Sequence, residues 1–204
     1  MSPHAGPAEG RRLCVLASGG GRSVDNLARL AASGELDAEV ALVVCDRDGA
    51  GVLDVAARHG IESAVVKPRD FEDPSAFSRV VFGLAEQRRC ALVVLAGFLR
   101  LLPIQAAWRG HVVNIHPSLL PKYGGKGYYG DRVHAAVLAA GESESGCTVH
   151  YVDDQYDNGP HLLQRRVAVE QGDDVHALAA RVFEQERIAL PEAIALHFER
   201  TARP

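Results

Sequence analysis

Asn114 and His116 stand two residues apart in the stretch VNIHPSLLP, residues 113–121, at the end of an apolar run and directly before Pro117. On a strand, residues i and i+2 project to the same side, so the amide and the imidazole face one volume. A primary amide donates hydrogen bonds to an oxygen on which negative charge develops. An imidazole donates to the same oxygen or carries a proton near neutral pH. Pro117 cannot continue a ladder of hydrogen bonds and Pro121 soon follows, so the chain must leave the sheet there. Asp157, in the turn-forming stretch QYDNGP, adds a carboxylate. Brought to a neutral histidine, it would orient the ring and stabilise its charged form, completing an oxyanion donor, an acid/base and an orienter. The bland alternatives are a satisfied Asn–His structural network and an aspartate chosen only because it forms turns.

A second group follows the first apolar strand. Gly19, Gly20 and Gly21 precede Arg22 and Ser23 in SGGGRS, and a helical pattern comes next. Consecutive glycines turn tightly and expose N–H groups, a helix N-terminus adds positive potential, and Arg22 offers a charge-assisted bond, so the loop is suited to an anion such as phosphate. A dinucleotide-binding fingerprint is the competing reading, with Asp46 at the end of the second strand in the place of a ribose-binding carboxylate. Its third glycine, however, would fall on Val24.

These residues need elements to position them. Leu13–Ala17, Val40–Cys45, Ala64–Val66 and Ala91–Ala96 are nearly continuous apolar runs of strand length, as expected of strands buried on both faces. Between them, Val24–Ala32, Gly51–His59 and Pro74–Gln87 carry apolar residues at helical spacing. The alternation predicts a doubly wound, Rossmann-like α/β fold with a mostly parallel open sheet flanked by helices. Ligands of such sheets bind outside the carboxyl ends of the strands, where Asn114 and His116 fall. After His116 the texture changes to a Gly-rich loop (GGKGYYG, Gly124–Gly130), a short helix over Val133–Ala140, and a hairpin. The hairpin pairs an alternating, half-exposed strand over Thr148–Val152 with Leu162–Val169. A last helix is expected from Asp173–Asp174 to about Arg200, interrupted before Pro191.

The chain has 204 residues, 47% of them hydrophobic and 24% charged, the composition of an ordinary globule. A formal net charge of −4 argues against a general nucleic-acid binder. Cys14, Cys45, Cys90 and Cys147 lie singly, three of them in or beside apolar runs, the pattern of reduced buried thiols. No apolar run approaches about 18 residues, so a cytoplasmic protein without membrane partners is expected. Residues 1–10 read as a disordered leader and 11–204 as a single domain. His150 and His161 could face each other across the hairpin, but no HxxxH pair or cysteine cluster completes a tetrahedral set, and no metal is expected.

Taken together, SGGGRS, VLAGFLRLL (94–102), NIHPSLLPKY (114–123), GCTVHYVDDQYDNGP (146–160) and FEQERIALP near the C-terminus are similar, in order and over residues 11 to 200, to the phosphoribosylglycinamide formyltransferases. These are the glycinamide ribonucleotide transformylases of the folate-dependent formyltransferase family. The resemblance implies transfer of a formyl group from 10-formyltetrahydrofolate to the amino group of glycinamide ribonucleotide, with no metal. It implies Asn114, His116 and Asp157 as the catalytic trio and Gly19, Gly20, Gly21, Arg22 and Ser23 around the phosphate. Glu186 would meet the ribose hydroxyls. The folate would lie along Phe98, Leu99, Arg100, Leu101 and Leu102 and along Val152 and Asp153 in the Tyr151–Asp157 turn.

The sequence departs from the family pattern in places. The first loop commonly reads GNGSN, and here Gly20, Arg22 and Ser23 replace its two asparagines and serine. A phosphate-binding arginine of the family aligns roughly with Pro74, so Arg22 is expected to take over its charge. The Gly124–Gly130 insertion is either a cover for substrate or a surface excursion. His134, opening the short helix, either contacts the ribonucleotide or caps. His161 stands where an aliphatic residue is common and is expected to be a hydrogen-bonded strand residue. Among relatives with the same trio, a tRNA formyltransferase would need a basic C-terminal domain and a formyltetrahydrofolate deformylase an N-terminal regulatory one. Sugar-nucleotide formyltransferases fit the glycine loop less well. Outside the family, an NAD-dependent oxidoreductase and a non-catalytic folate- or nucleotide-binding module are the alternatives. The expected assembly is a monomer or homodimer.

Overall fold

Apolar runs decide the layers. The structure, a computed structural model, describes residues 10–202, so the expected leader lies outside the described residues apart from Gly10. Two compact units divide the chain, residues 1–112 and 113–204.

In the first unit the elements are β1 (Arg12–Ala17), α1 (Arg22–Ser33), β2 (Glu39–Cys45), α2 (Gly51–Arg58), β3 (Glu62–Val65), α3 (Pro74–Gln87) and β4 (Leu92–Leu95). Its strands pair in parallel in the order β3-β2-β1-β4. Leu13, Cys14, Val15 and Leu16 of β1 are all fully buried, which is why the run does not alternate in polarity. By contrast β3 is short and largely exposed, as suits an edge strand. Helix α1 turns Val24, Leu27 and Ala28 inward and stops at Gly34 in the left-handed conformation. Helix α3 starts where the Asp73 carboxylate accepts the Ala76 N–H and Pro74 occupies the first turn. Its buried Phe77 stacks on Phe98 at 6.2 Å and its Phe82 on Trp108 at 5.2 Å. The expected parallel, helix-flanked half is therefore present, with strand and helix ends shifted by one or two residues.

The second unit takes up β5 (Val112–His116) from Val113 onward, then α4 (Asp131–Ala139), β6 (Glu144–Tyr151), β7 (His161–Ala168) and α5 (Val175–Thr201). Here the order is β5-β6-β7 and both pairings are antiparallel. The expected hairpin and closing helix are present, with two corrections. First, β6 is not a half-exposed strand. It begins at Glu144 and is buried from Ser145 to His150, because β5 and β7 flank it and α5 packs against β6 and β7. Its polar residues Thr148 and His150 therefore face the interior and need partners there.

Second, α5 runs unbroken through Pro191, opened by Asp174, whose carboxylate accepts the Ala177 N–H at 2.7 Å. Proline removes one backbone hydrogen bond and crowds the preceding turn. Ala189, Leu190, Ala193 and Ile194, all buried, lie on both sides of it, and burial of that stripe keeps the helix whole. Among the described residues, no helix is long and apolar enough to cross a membrane. Replacement of Pro191 by alanine is expected to raise stability by about 1–3 kcal/mol, since it restores an N–H donor and relieves the clash. Urea denaturation of the two proteins measures it, and an unchanged midpoint would mean that the proline costs nothing in this helix.

Candidate active site

Register brings the polar residues of the second unit together. In the β5–β6 pairing Asn114 lies opposite His150 and His116 opposite Thr148, so all four project from one face. The turn between β6 and β7 then returns Asp157 to that face. Its φ of 52° is in the left-handed region that aspartate tolerates better than most residues. Thr148 serves the chain that leaves β5. Its Oγ1 accepts the Leu120 N–H at 3.1 Å and donates to the Ser118 carbonyl at 2.7 Å, while the Gln164 amide donates to both Thr148 Oγ1 and the Leu120 carbonyl. The path through the prolines is thus pinned by a buried polar network.

The tautomers follow from carbonyl partners, because a carbonyl oxygen only accepts. His150 Nδ1–H donates to the Tyr151 carbonyl at 2.8 Å, leaving Nε2 to accept from Asn114 Nδ2 at 3.1 Å. The second amide hydrogen of Asn114 goes to Asp157 Oδ1 at 3.2 Å. His116 Nε2–H donates to the Tyr123 carbonyl at 2.8 Å, which turns its Nδ1 lone pair toward Asp157 Oδ2 at 3.5 Å. Asp157 Oδ2 also accepts the Gly125 N–H at 2.9 Å, and Oδ1 lies 3.6 Å from His150 Nε2. The neutral arrangement therefore has one opening for a proton, at His116 Nδ1 against the carboxylate.

Electrostatics agrees with this reading. Burial pushes the His116 imidazole below its ordinary value of 6.5, against the opposing pull of Asp157 and the Tyr123 carbonyl, so the ring is uncharged at neutral pH. Burial would raise the Asp157 carboxyl, but His150 and His116 in their protonated forms, together with the Gly125 N–H, hold it below 3.8. The site combines a base, a counter-ion that will stabilise its conjugate acid, and an amide whose plane is already fixed. Such a set suits acyl-group transfer through a tetrahedral oxyanion.

The other expected residues are distributed as follows. In the first unit, Gly21 caps α1 with φ 80°, and a Cβ there would stand 2.8 Å from Val52 Cα, so only glycine fits. No side chain caps α1, and Gly19 accepts the Val52 N–H, leaving Gly19 and Gly20 exposed beside Arg22 and Ser23 at the helix N-terminus. Phe98 and Leu102 are core residues, whereas Leu99 and Leu101 are exposed. Arg100 donates to Asp46 at 3.0 Å. That carboxylate is buried and also held by Arg47 and Ser18. Burial would raise it, but these hydrogen bonds keep it below 3.8, so Asp46 is committed to guanidinium groups and does not face outward as a ribose-binding carboxylate would.

In the second unit, Val152 is half-buried, and Asp153 accepts the Gln155 N–H and the Asn158 amide, which shapes the turn carrying Asp157. Glu186 lies on α5 near Cys147, whose thiol is pushed up to about 12 first by burial and then by that carboxylate. By strand alternation Cys147 faces away from His150. His134 is buried on α4 close enough to His116 to feel its charge, and its Nδ1 meets no protein partner. His161 sits on the exposed side of β7, paired in register with His150. No group of three or more metal-ligating side chains occurs among the described residues.

The model of the formyl transferase family matches residues 11–194. The chain belongs to the formyl transferase family. Among its relatives, a phosphoribosylglycinamide formyltransferase of Bacillus subtilis (strain 168) is 31% identical over 90% of this chain and 93% of its own length. A trifunctional purine biosynthetic protein adenosine-3 of Drosophila pseudoobscura pseudoobscura is 39% identical, and there the formyl transferase chain spans 91% of itself but 14% of the relative. The crystal structure of glycinamide ribonucleotide transformylase 1 from Symbiobacterium toebii superposes with a TM-score of 0.85 at 32% identity, covering 95% of this chain and 91% of that one. The formyltransferase fold expected from the sequence is thereby established.

Three parts of this formyl transferase's site were not read from the sequence. From the sequence His150 offers only a pairing with His161 across the hairpin, although its register with Asn114 follows once β5 and β6 are paired. The Tyr123 carbonyl and the Gly125 N–H are backbone groups without a residue signature, and the run of glycines in GGKGYYG was the one available hint. Because His116 is neutral in the fold, its contribution to stability is present above pH 6.5 and is lost as pH falls, when the unfolded chain binds the proton first. His134 and His161 are displaced in the same direction by burial. His116→Gln is therefore expected to make stability fall less steeply below pH 6.5, by up to about 1.4 kcal/mol per pH unit. Denaturation curves between pH 5 and 7.5 measure the slope, and equal slopes would refute a neutral His116.

Proposed function

We propose that this chain transfers the formyl group of 10-formyltetrahydrofolate to the amino group of glycinamide ribonucleotide. The products are formylglycinamide ribonucleotide and tetrahydrofolate, a step of de novo purine biosynthesis. The observation that carries the proposal is the Asn114–Asp157–His116 cluster, with its single protonatable position and its oriented amide. Family membership supports a folate-derived donor, and no protein metal ligands are invoked.

In this reading the substrate amine attacks the formyl carbon and a C–N bond forms. The proton lost by that nitrogen is taken by His116 Nδ1, directly or through water, and the resulting imidazolium is held by Asp157. The oxyanion takes one of the amide hydrogens of Asn114, and the new positive charge on His116 lies nearby. Collapse breaks the bond between the formyl carbon and N10 of the folate, and the proton passes to N10. His150 keeps Asn114 oriented throughout, since it accepts the other amide hydrogen. Gly19, Gly20, Gly21, Arg22 and Ser23 take the phosphate, Glu186 and His134 act toward the ribonucleotide, and Phe98–Leu102 with Val152 and Asp153 receive the folate.

A cavity of about 500 Å³ beside Arg100 is lined by Arg47, Lys67 and Arg69 along with Asp46 and Asp48. Four cations against two carboxylates leave it a positive balance, which is complementary to the glutamate carboxylates at the end of the donor.

Purified protein assayed with both substrates is expected to turn over only when the amine is present, and Asn114→Ala to lower kcat about 100-fold or more, the usual effect of removing an oxyanion donor. Consumption of the formyl folate at equal rate without amine would replace this proposal with hydrolysis. Arg22→Ala is expected to raise the KM for the ribonucleotide tenfold or more, about 1.4 kcal/mol, with kcat little changed. A KM equal to that of the parent would remove Arg22 from the phosphate site.

A further inference from the structure

We propose that Glu142, a residue outside the acid/base cluster, is a positioning residue for His116 and acts through the side chain and carbonyl of Tyr123. The role of His116 in this inference rests on the reading above, while the geometry belongs to the second unit alone.

The starting point is a backbone outlier. Tyr123 has φ 56°, a left-handed conformation that is unusual for a bulky residue and must be held by its surroundings. In this conformation its carbonyl accepts the Nε2–H of His116 at 2.8 Å. That bond selects the tautomer, because it places the ring proton on Nε2 and leaves Nδ1 to face Asp157.

Glu142, just beyond α4, closes a clamp on the same dipeptide. Its carboxylate accepts the Tyr123 hydroxyl at 2.9 Å and the Lys122 ammonium at 2.8 and 3.1 Å. The Lys122 carbonyl takes the Ser118 hydroxyl at 2.7 Å, and the Tyr128 ring meets the Tyr123 ring edge-on at 6.1 Å. Lys122 and then Tyr123 hold the Glu142 carboxyl below its usual value, so the clamp is charged at neutral pH. A salt bridge between exposed groups contributes little to stability. Glu142, however, is joined to a phenol on a residue whose strained backbone contacts the acid/base histidine, so its weight falls on geometry.

The charged and titratable groups around His116 are Asp157 in the β6–β7 turn, His150 on β6 and His134 on α4, with Tyr123 supplying the carbonyl. The carbonyl bond raises the proton affinity of His116, and Asp157 raises it further. Releasing Tyr123 therefore lowers the titration midpoint of His116 and moves the acid limb of kcat to lower pH.

The experiment combines nitrogen-15 NMR of histidine-labelled full-length protein with steady-state kinetics for Glu142→Ala, Glu142→Gln, Tyr123→Phe and the double variant Tyr123→Phe/Glu142→Ala. In the parent, His116 shows the Nε2–H tautomer. In Glu142→Ala and Tyr123→Phe the Nδ1–H tautomer gains population and the His116 midpoint falls. In both, kcat drops about fivefold or more while both KM values stay within about twofold. The double variant is no worse than either single one, as expected of groups acting in one chain. Glu142→Gln, which keeps an acceptor for the phenol, restores the parental tautomer. If Glu142→Ala and Tyr123→Phe fold with parental thermal midpoints and leave the His116 tautomer and titration unchanged, the inference is overturned. The NMR readout requires no turnover, so it stands apart from a failure of the formyl-transfer reading.

Discussion

A buried carboxylate needs its lone pairs satisfied, and Asp157 is the group on which the rest of the second unit's polar interior depends. One oxygen receives the Asn114 amide and the other the Gly125 N–H, with two imidazoles within 3.6 Å. Left unpaired, an ionised carboxylate with a tenth of its side chain exposed would cost several kcal/mol and would protonate instead. Each partner is therefore held by a second interaction of its own. Asn114 is fixed by the β5–β6 register and His150, His116 by the Tyr123 carbonyl, and Gly125 by the loop that follows it.

This explains why the Gly-rich insertion is built into the site. A Cβ on Gly124 would run into the Leu120 side chain and stand 3.3 Å from Asp157 Cβ, so a larger residue there would have to displace the Leu120 methyl group and shift Asp157 by a few tenths of an ångström. Within the segment, residues 126–130 are exposed, while Gly125 reaches Asp157 through its N–H. Residues 123 to 125 present one carbonyl to His116 and one N–H to Asp157. Tyr128 and Tyr129 stay exposed beyond them, with Arg132 over the Tyr129 ring at 4.9 Å.

How much of this was legible in the sequence depends on the range over which each signal acts. The continuous apolar runs of β1, β2 and β4, the Asp73–Pro74 helix start and the Asp174 cap are local, and they are where the sequence places them. The pair Asn114 and His116 follows from period two and a proline, also a local argument. The errors were long-range. Polar residues in β6 read as solvent-facing because the partners that bury them, β5, β7 and α5, are distant in sequence. Pro191 read as a helix break because the rule for an isolated helix omits the buried stripe that holds α5 together. Asp157 and His150 are visible as chemistry-bearing residues, but the contact of His150 with Asn114 depends on a strand register, and that of Asp157 on the β6–β7 turn, which composition does not encode.

Concentrating these groups in one place has a cost that argues for use. His116, His150 and His134 are nearly inaccessible, and His134 leaves a ring nitrogen without a protein partner. A core of the same volume filled with apolar side chains would be easier to stabilise, because each buried polar group must recover the hydration it loses. For His116 the loss appears as a depressed proton affinity, opposed by Asp157 and Tyr123 but not cancelled. A purely structural imidazole gains nothing from that compromise. An acid/base does, because it starts neutral, faces a carboxylate that will welcome its proton, and returns that proton once the charge it answered has moved on.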